Sequence, residues 1–328
     1  MKKLIWSIFI PCLLLAGCGS TRNEGSSSID DSVENIFKFE RKLEVSVICP
    51  TGAPAVAFYK YATDKNFETN SNAAQGIIPL MAQGKKDVVI LPTNAGINAI
   101  RGAAKAPYKI AATITFGNIF LASTGNDDNN RIDDGDYIVL FQQGQIPDLL
   151  FHYVYGTSLD SNIHYVSDGS EASKCLKTGK NLTSNNETVD YVLIAQPALE
   201  VVMSSTPNVS MVADLQSLYY EKSKSKLFQA SIFVNNNTEK GKIDSFLNQI
   251  QKDIVDAIYT PVLIKNGLDK AENVSALYGV PSGEIAAKVV ENNNGLGLGY
   301  SKAKQNKNDI DKSLALFGIE ETNEEIYY

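Results

Sequence analysis

Gly84-Lys85-Lys86-Asp87-Val88-Val89-Ile90-Leu91-Pro92 returns in outline further along the chain as Gly179-Lys180, a polar insertion, and then Val189-Asp190-Tyr191-Val192-Leu193-Ile194-Ala195-Gln196-Pro197. Each copy follows a helix-like stretch, sets an Asp before a run of aliphatic residues, and ends that run at a proline. An aliphatic run between turn residues reads as a buried strand, and helices alternating with such strands read as an α/β protein. One helix–turn–strand unit occurring twice points to two similar α/β lobes.

Working outward from the first copy, Leu43-Glu44-Val45-Ser46-Val47-Ile48-Cys49 reads as another buried strand. Pro50-Thr51-Gly52-Ala53-Pro54 turns it into a helix over Ala55 to Tyr61. Pro54 suits the first turn of that helix, where a missing N–H costs nothing. Lys109 to Thr113 is a further strand, closed by Thr115-Phe116-Gly117-Asn118. Asn118 to Ser123 and Gln229 to Asn235 read as strands that carry the chain out of the first lobe and back, ahead of a purely helical tail. In that tail Ile243, Phe246, Leu247, Ile250, Ile254 and Ile258 recur at helical spacing, which is a core-facing stripe. Lobe one is therefore expected to be discontinuous, 36–119 with 233–328, and lobe two to span 120–232.

The N-terminal stretch belongs to targeting. Lys2-Lys3, an apolar run from Leu4 to Gly17 and the ending Leu15-Ala16-Gly17-Cys18 have the order of a secretory signal. The run is shorter than the roughly 20 residues that span hydrocarbon. Its ending resembles the bacterial lipoprotein processing site, which implies removal of 1–17 as a signal peptide and lipid such as palmitate on Cys18. The alternative is an ordinary signal peptide with a chance cysteine. Residues 18–35 are rich in Gly, Ser, Asn and acidic groups, the composition of a flexible tether. The expected location is a cell membrane, with the folded body anchored on its extracytoplasmic side.

Charge and side-chain inventory exclude several classes. Lys+Arg 30 against Asp+Glu 37 gives a formal charge of -7, with no basic run longer than Gly84-Lys85-Lys86, so nucleic acid is not an expected partner. His152 and His164 fall in different predicted elements, without Cys or carboxylate at ligand spacing, so no metal and no cofactor is expected. His152 reads as an ordinary surface or packing histidine. Neither a G-x-S-x-G elbow nor a P-loop occurs. Cys12 lies in the leader, and Cys49 and Cys175 read as small buried thiols in separate lobes, although an extracellular bridge between them is open in principle.

A set of short segments spread over the chain carries a family resemblance. They are Val47 to Ala57, Gly84-x-x-Asp87 into Val88 to Asn94, Gln142-Gln143-Gly144-Gln145-Ile146-Pro147-Asp148, Ser170-Glu171-Ala172 with Gly179 and Val189-Asp190, Ala195-Gln196-Pro197, and Ala213-Asp214-Leu215 before Tyr219. In order and spacing they resemble the solute-binding proteins of bacterial ABC importers, in the group of nitrate, alkanesulfonate, taurine and thiamine-precursor binders. The resemblance implies a type II periplasmic-binding-protein-like fold, two doubly wound lobes joined by two strands around a ligand cleft. It also implies a monomeric receptor, with a small-molecule solute and ABC permease and ATPase components as partners. An enzyme that makes the thiamine pyrimidine uses a related fold, but its cysteine-rich iron motif is missing here. That enzyme class and an adhesion or signalling lipoprotein are the alternatives.

In such a fold ligands collect beyond the carboxyl ends of the strands, where helix N-termini offer unpaired N–H groups. The expected ligand-binding residues are Thr51, Gly52 and Ala53; Thr93 and Asn94; Thr115, Phe116, Gly117 and Asn118; Gln143, Gly144, Gln145 and Ile146; and Gln196. None of these loops carries Arg or Lys, which favours a neutral or singly charged solute over a densely charged anion. Gly52 and Gly144 equally fit simple turns, and Phe116 equally fits the core. Asn292-Asn293-Asn294-Gly295-Leu296-Gly297-Leu298-Gly299 lacks the strand–GxGxxG–helix setting of a phosphate cradle and reads as a loop and helix stop.

Overall fold

The computed structural model describes residues 41–102, 105–127, 129 and 131–328, so the predicted signal peptide 1–17, the tether 18–35 and Cys18 lie outside the described residues. Strands β1 (Val47–Pro50), β2 (Phe67–Asn70), β3 (Val88–Pro92) and β4 (Tyr108–Thr115) alternate with helices α1 (Ala53–Val56), α2 (Ile78–Ala82) and α3 (Thr93–Arg101). The chain continues through β5 (Ile119–Ser123), β6 (Ile138–Phe141), α4 (Ile146–Tyr155), β7 (Ile163–Val166) and α5 (Gly169–Thr178). A short hairpin, β8 (Lys180–Asn181) with β9 (Glu187–Thr188), leads to β10 (Tyr191–Ala195), α6 (Ala198–Ser205), β11 (Ser210–Asp214) and α7 (Leu215–Ser223). After β12 (Ala230–Asn235) come α8 (Lys240–Tyr259), α9 (Val262–Leu268), α10 (Val274–Tyr278), α11 (Gly283–Glu291), β13 (Leu298–Lys302) and α12 (Lys307–Ala315).

These strands form two mixed sheets, ordered β13-β4-β12-β3-β1-β2 and β11-β5-β10-β6-β7. In the first, β2, β1 and β3 run parallel and β12 lies antiparallel beside β3. In the second, β7, β6 and β10 run parallel and β5 lies antiparallel beside β10. The same four-strand arrangement thus occurs twice, and the echoing segments occupy matching places in it, β3 and β10. Asp87 Oδ2 accepts the Ser46 N–H at 2.8 Å just ahead of β1, and Asp190 Oδ2 accepts the Tyr137 N–H at 2.8 Å just ahead of β6. Gly84 and Gly179 take φ +65 and +64, the left-handed turn that ends a helix. Pro92 and Pro197 sit at the N-caps of α3 and α6. Each sheet has its own apolar core, with Cys49 buried in β1 and Cys175 buried in α5 as separate thiols.

Local structure departs from the expectations at three places. The strand predicted over 43–49 begins only at Val47, because Leu43 N–H is given to Asp64 Oδ2 at 2.6 Å and Ser46 N–H to Asp87. The helix predicted over 55–61 stops at Val56 and is followed by a tighter turn over Tyr59–Tyr61. Phe58, Tyr59, Lys60 and Tyr61 are all buried, and four successive buried side chains exceed the single stripe an α-helix offers a core. The tail is not purely helical, since β13 pairs antiparallel with β4. The helical stripe itself lies on α8, where Ile243, Phe246, Leu247, Ile250 and Ile254 are buried and Ile258 packs half-buried against the same core.

Candidate functional site

Because β12 is antiparallel to both β3 and β4, the carboxyl ends of β3 and β4 meet at one edge of the first sheet. Three buried hydroxyls knit the strands there. Ser231 Oγ lies 2.8 Å from Thr93 Oγ1 and 2.7 Å from Thr113 Oγ1. Gln229 holds the strand ends together through its backbone, accepting the Thr93 N–H at 2.9 Å and giving its own N–H to Thr115 O at 3.0 Å. Immediately around it sit Asn94 Oδ1, Thr115 Oγ1 and Gln229 Oε1, each buried without a hydrogen-bond partner. An unsatisfied buried polar atom costs about 1–3 kcal/mol, so three gathered where β3 runs into α3, β4 ends and β12 begins mark a place where a partner is expected.

The chain crosses between the sheets at Phe116–Asn118, and amide side chains bridge the crossing. Asn118 Nδ2 donates to Gln196 O at 2.8 Å, and Gln229 Nε2 donates to Asn118 Oδ1 at 3.0 Å. The Gln196 carbonyl only accepts, so it fixes which end of Asn118 faces it, and Asn118 in turn fixes Gln229 with its Oε1 left over.

Beside this relay lies a cavity of about 350 Å³, a size suited to a small ligand. Phe116, Gly117 and the loop Asn292–Gly295 with Gly297 wall it on one side, and Phe120, Gln196, Leu199, Glu200, Met203, Met211, Asp214 and Gln216 on the other. No Arg or Lys lines it. Gly297 at φ +62 approaches the Gly117 carbonyl so closely that an added Cβ would overlap it, and its own carbonyl accepts the Phe116 N–H at 2.8 Å. Asn294 braces the loop through Leu298, accepting its N–H at 3.1 Å. Glu200 is buried, and its Oε1 lies 2.6 Å from Lys288 Nζ on α11, an ion pair between helices α6 and α11. The bond to Glu200 pushes the Lys288 ammonium above its usual pKa. Asp214 Oδ1 caps α7 by accepting the Ser217 N–H at 3.0 Å. A second hollow of about 640 Å³ adjoins, sharing Phe116 and Gly297 and adding Tyr220, Lys226 and Tyr300. Burial pushes the Tyr300 hydroxyl up to about 12.

The predicted site residues divide. Phe116, Gly117 and Gln196 line the cavity, Asn118 ties the crossing, and Thr93, Asn94 and Thr115 lie at the strand ends beside it. The Phe116 ring meets Phe228 edge-on at 5.3 Å, so it is part wall and part core. Thr51, Gly52 and Ala53 stand apart: Ala53 is buried, and the Gly52 N–H is given to Tyr278 O at 2.8 Å. Gln143, Gly144 and Gln145 are exposed, Ile146 begins α4, and the Gly144 N–H is taken by Asp148 Oδ2 at 2.7 Å. Buried Asp148 also accepts the Tyr165 hydroxyl at 2.8 Å and lies 2.9 Å from His152 Nδ1, so this loop is held by its own helix. Sequence reasoning missed Gln229, Glu200, Met203 and Met211 as wall or relay residues. It also read 292–299 as a plain loop and helix stop, although the segment lines the cavity. Its signal was present in the three asparagines followed by alternating glycines. Among the described residues no group of three or more His, Cys, Asp or Glu is placed to hold a metal ion, and no helix is long and apolar enough to cross a membrane.

No family model matches this chain, and no curated protein matches it. Solved structures do. An ABC transporter protein from Parabacteroides distasonis superposes with a TM-score of 0.65 at 16% identity, over 85% of this chain and 92% of that one. The periplasmic aliphatic sulphonate binding protein SsuA from Escherichia coli gives 0.59 at 13%, over 84% and 86%. The ligand binding component of an ABC-type import system from Staphylococcus aureus gives 0.58 at 8%, over 88% and 96%. The fold is therefore the α/β, two-sheet fold of the type II periplasmic binding proteins, shared with solute-binding proteins of ABC transporters.

Proposed function

We propose that this chain is the solute-binding receptor of an ABC importer, tethered by lipid on Cys18 to the extracytoplasmic face of a cell membrane. It captures one small neutral or singly charged solute between lobe one (36–119 with 233–328) and lobe two (120–232), and delivers it to permease and ATPase components. The observation that carries this reading is the cavity walled by the crossing Phe116–Gly117 and the 292–297 loop on one side and by β5, α6, β11 and α7 on the other, with the Gln229–Asn118–Gln196 relay beside it and unpartnered buried oxygens nearby. The fold shared with solute-binding proteins of ABC transporters supports it. Closure draws its dihedral change from the crossings next to β5 and β12, and a solute shifts it only by its preference for the closed form. A receptor returns its solute unchanged, which separates it from an enzyme. Native mass spectrometry after equilibration with the small-molecule fraction of growth medium should show one adduct per chain, released at its original mass. A chemically altered product, or no adduct at all, would contradict the reading.

A further inference from the structure

We infer that the cavity between the sheets takes a cationic solute rich in N–H donors, an amine or amidinium, with Glu200 as its counter-ion and Lys288 holding that carboxylate while the cavity is empty. This rests on the receptor reading and deepens it to a ligand class. The lining contains two carboxylates, Glu200 and Asp214, and no basic side chain. Asp214 is engaged in capping α7, whereas Glu200 meets Lys288, a half-exposed residue reaching in from α11. A buried carboxylate needs a cation, and a lysine on a flexible stem is a partner that can swing away when another cation arrives. Phe116 and Phe120 with Met203 and Met211 supply the aromatic and polarisable surface that a desolvated cation favours.

The unpartnered atoms at the neighbouring strand ends agree in sign. Gln229 Oε1 is an amide oxygen, which only accepts, and its orientation is fixed by the bond from Gln229 Nε2 to Asn118 Oδ1. Thr115 Oγ1 serves either way. An anionic group such as a sulfonate has no donor for these oxygens and would face Glu200 as a like charge.

Isothermal titration of the mature protein with butylamine and acetamidine, each a single cation, and in parallel with ethanesulfonate, tests the class. Both cations are expected to bind one per chain. Glu200→Gln, nearly isosteric, should weaken that binding by about tenfold or more. Lys288→Met should strengthen it, because it removes a competitor, and this sign is not produced by a general loss of structure. A thermal melt of both variants checks that the fold persists. Ethanesulfonate binding that Lys288→Met weakens would overturn the ligand class while leaving the receptor reading in place. Failure of both cations to bind, with a solute of another class found by mass spectrometry, would also overturn the inference alone. No adduct of any kind would remove the receptor reading beneath it.

Discussion

Asp253 lies on the buried stripe of α8 with no exposure, where its carboxylate meets Lys60 Nζ at 2.9 Å and the Tyr61 hydroxyl at 2.9 Å. Burial first and this carboxylate second push the Tyr59 and Tyr61 hydroxyls far above their usual pKa. Removing the carboxylate strands a lysine that is only 5% exposed, with Asp256 as its remaining partner. Asp253→Ala should therefore destabilise the protein by about 3 kcal/mol, read from urea unfolding, with Asp253→Asn losing less. Ser231→Ala leaves the Thr93 and Thr113 hydroxyls without their shared partner and should cost about 2 kcal/mol by the same measurement. Asp87 bears on pH: desolvation raises its pKa, but bonds from Ser46 and Thr238 outweigh that and hold it below the usual value. Its contribution is complete above the unfolded-state pKa and is lost as pH falls through the folded one. Acid unfolding below about pH 4 should therefore be shallower in Asp87→Asn than in the parent. At this scale the sequence marked Asp87 and Asp190 through their repeated position before a strand. It left Glu200 and Lys288 invisible, because an ion pair between distant segments has no local spacing.

Elements whose signal is periodic were readable, and those defined by a close approach were not. The stripe of α8 and the aliphatic runs of β3 and β10 follow from side-chain spacing alone. β13 was hidden because its glycines resemble a turn, and its place depends on a tertiary contact, Gly297 against the Gly117 carbonyl. At φ +62 and with no room for a Cβ, Gly297→Ala should push the 292–297 loop away from the crossing. The expected result is weaker solute binding and a lowered melting temperature. Gly144→Ala, whose Cβ would meet open space, should cost only about 1–2 kcal/mol of left-handed strain and leave binding near parental. Calorimetric comparison of the two variants separates a cavity wall from an exposed turn.

For the molecule as a whole, the repeated unit foretold two similar sheets, and the structure gives them the same four-strand order. Of the residues expected around a cleft at the carboxyl ends of the strands, Phe116, Gly117 and Gln196 line the candidate cavity. Turns such as Thr51–Ala53 and Gln143–Gln145 carry the residue types of a binding loop, yet their N–H groups at Gly52 and Gly144 are already given to Tyr278 and Asp148. Which loops stay unsatisfied is decided by packing at long sequence separation, and that is where the composition of a loop stops being informative. Whether one solute is held jointly by both lobes is decided by a crystal structure of the protein with its tightest-binding solute. A single molecule is expected between Phe116 and Glu200, touching residues on both sides of the crossing and within hydrogen-bond reach of Gln229 Oε1. A solute seated wholly within one lobe, or on the outer surface away from the 292–297 loop, would contradict it.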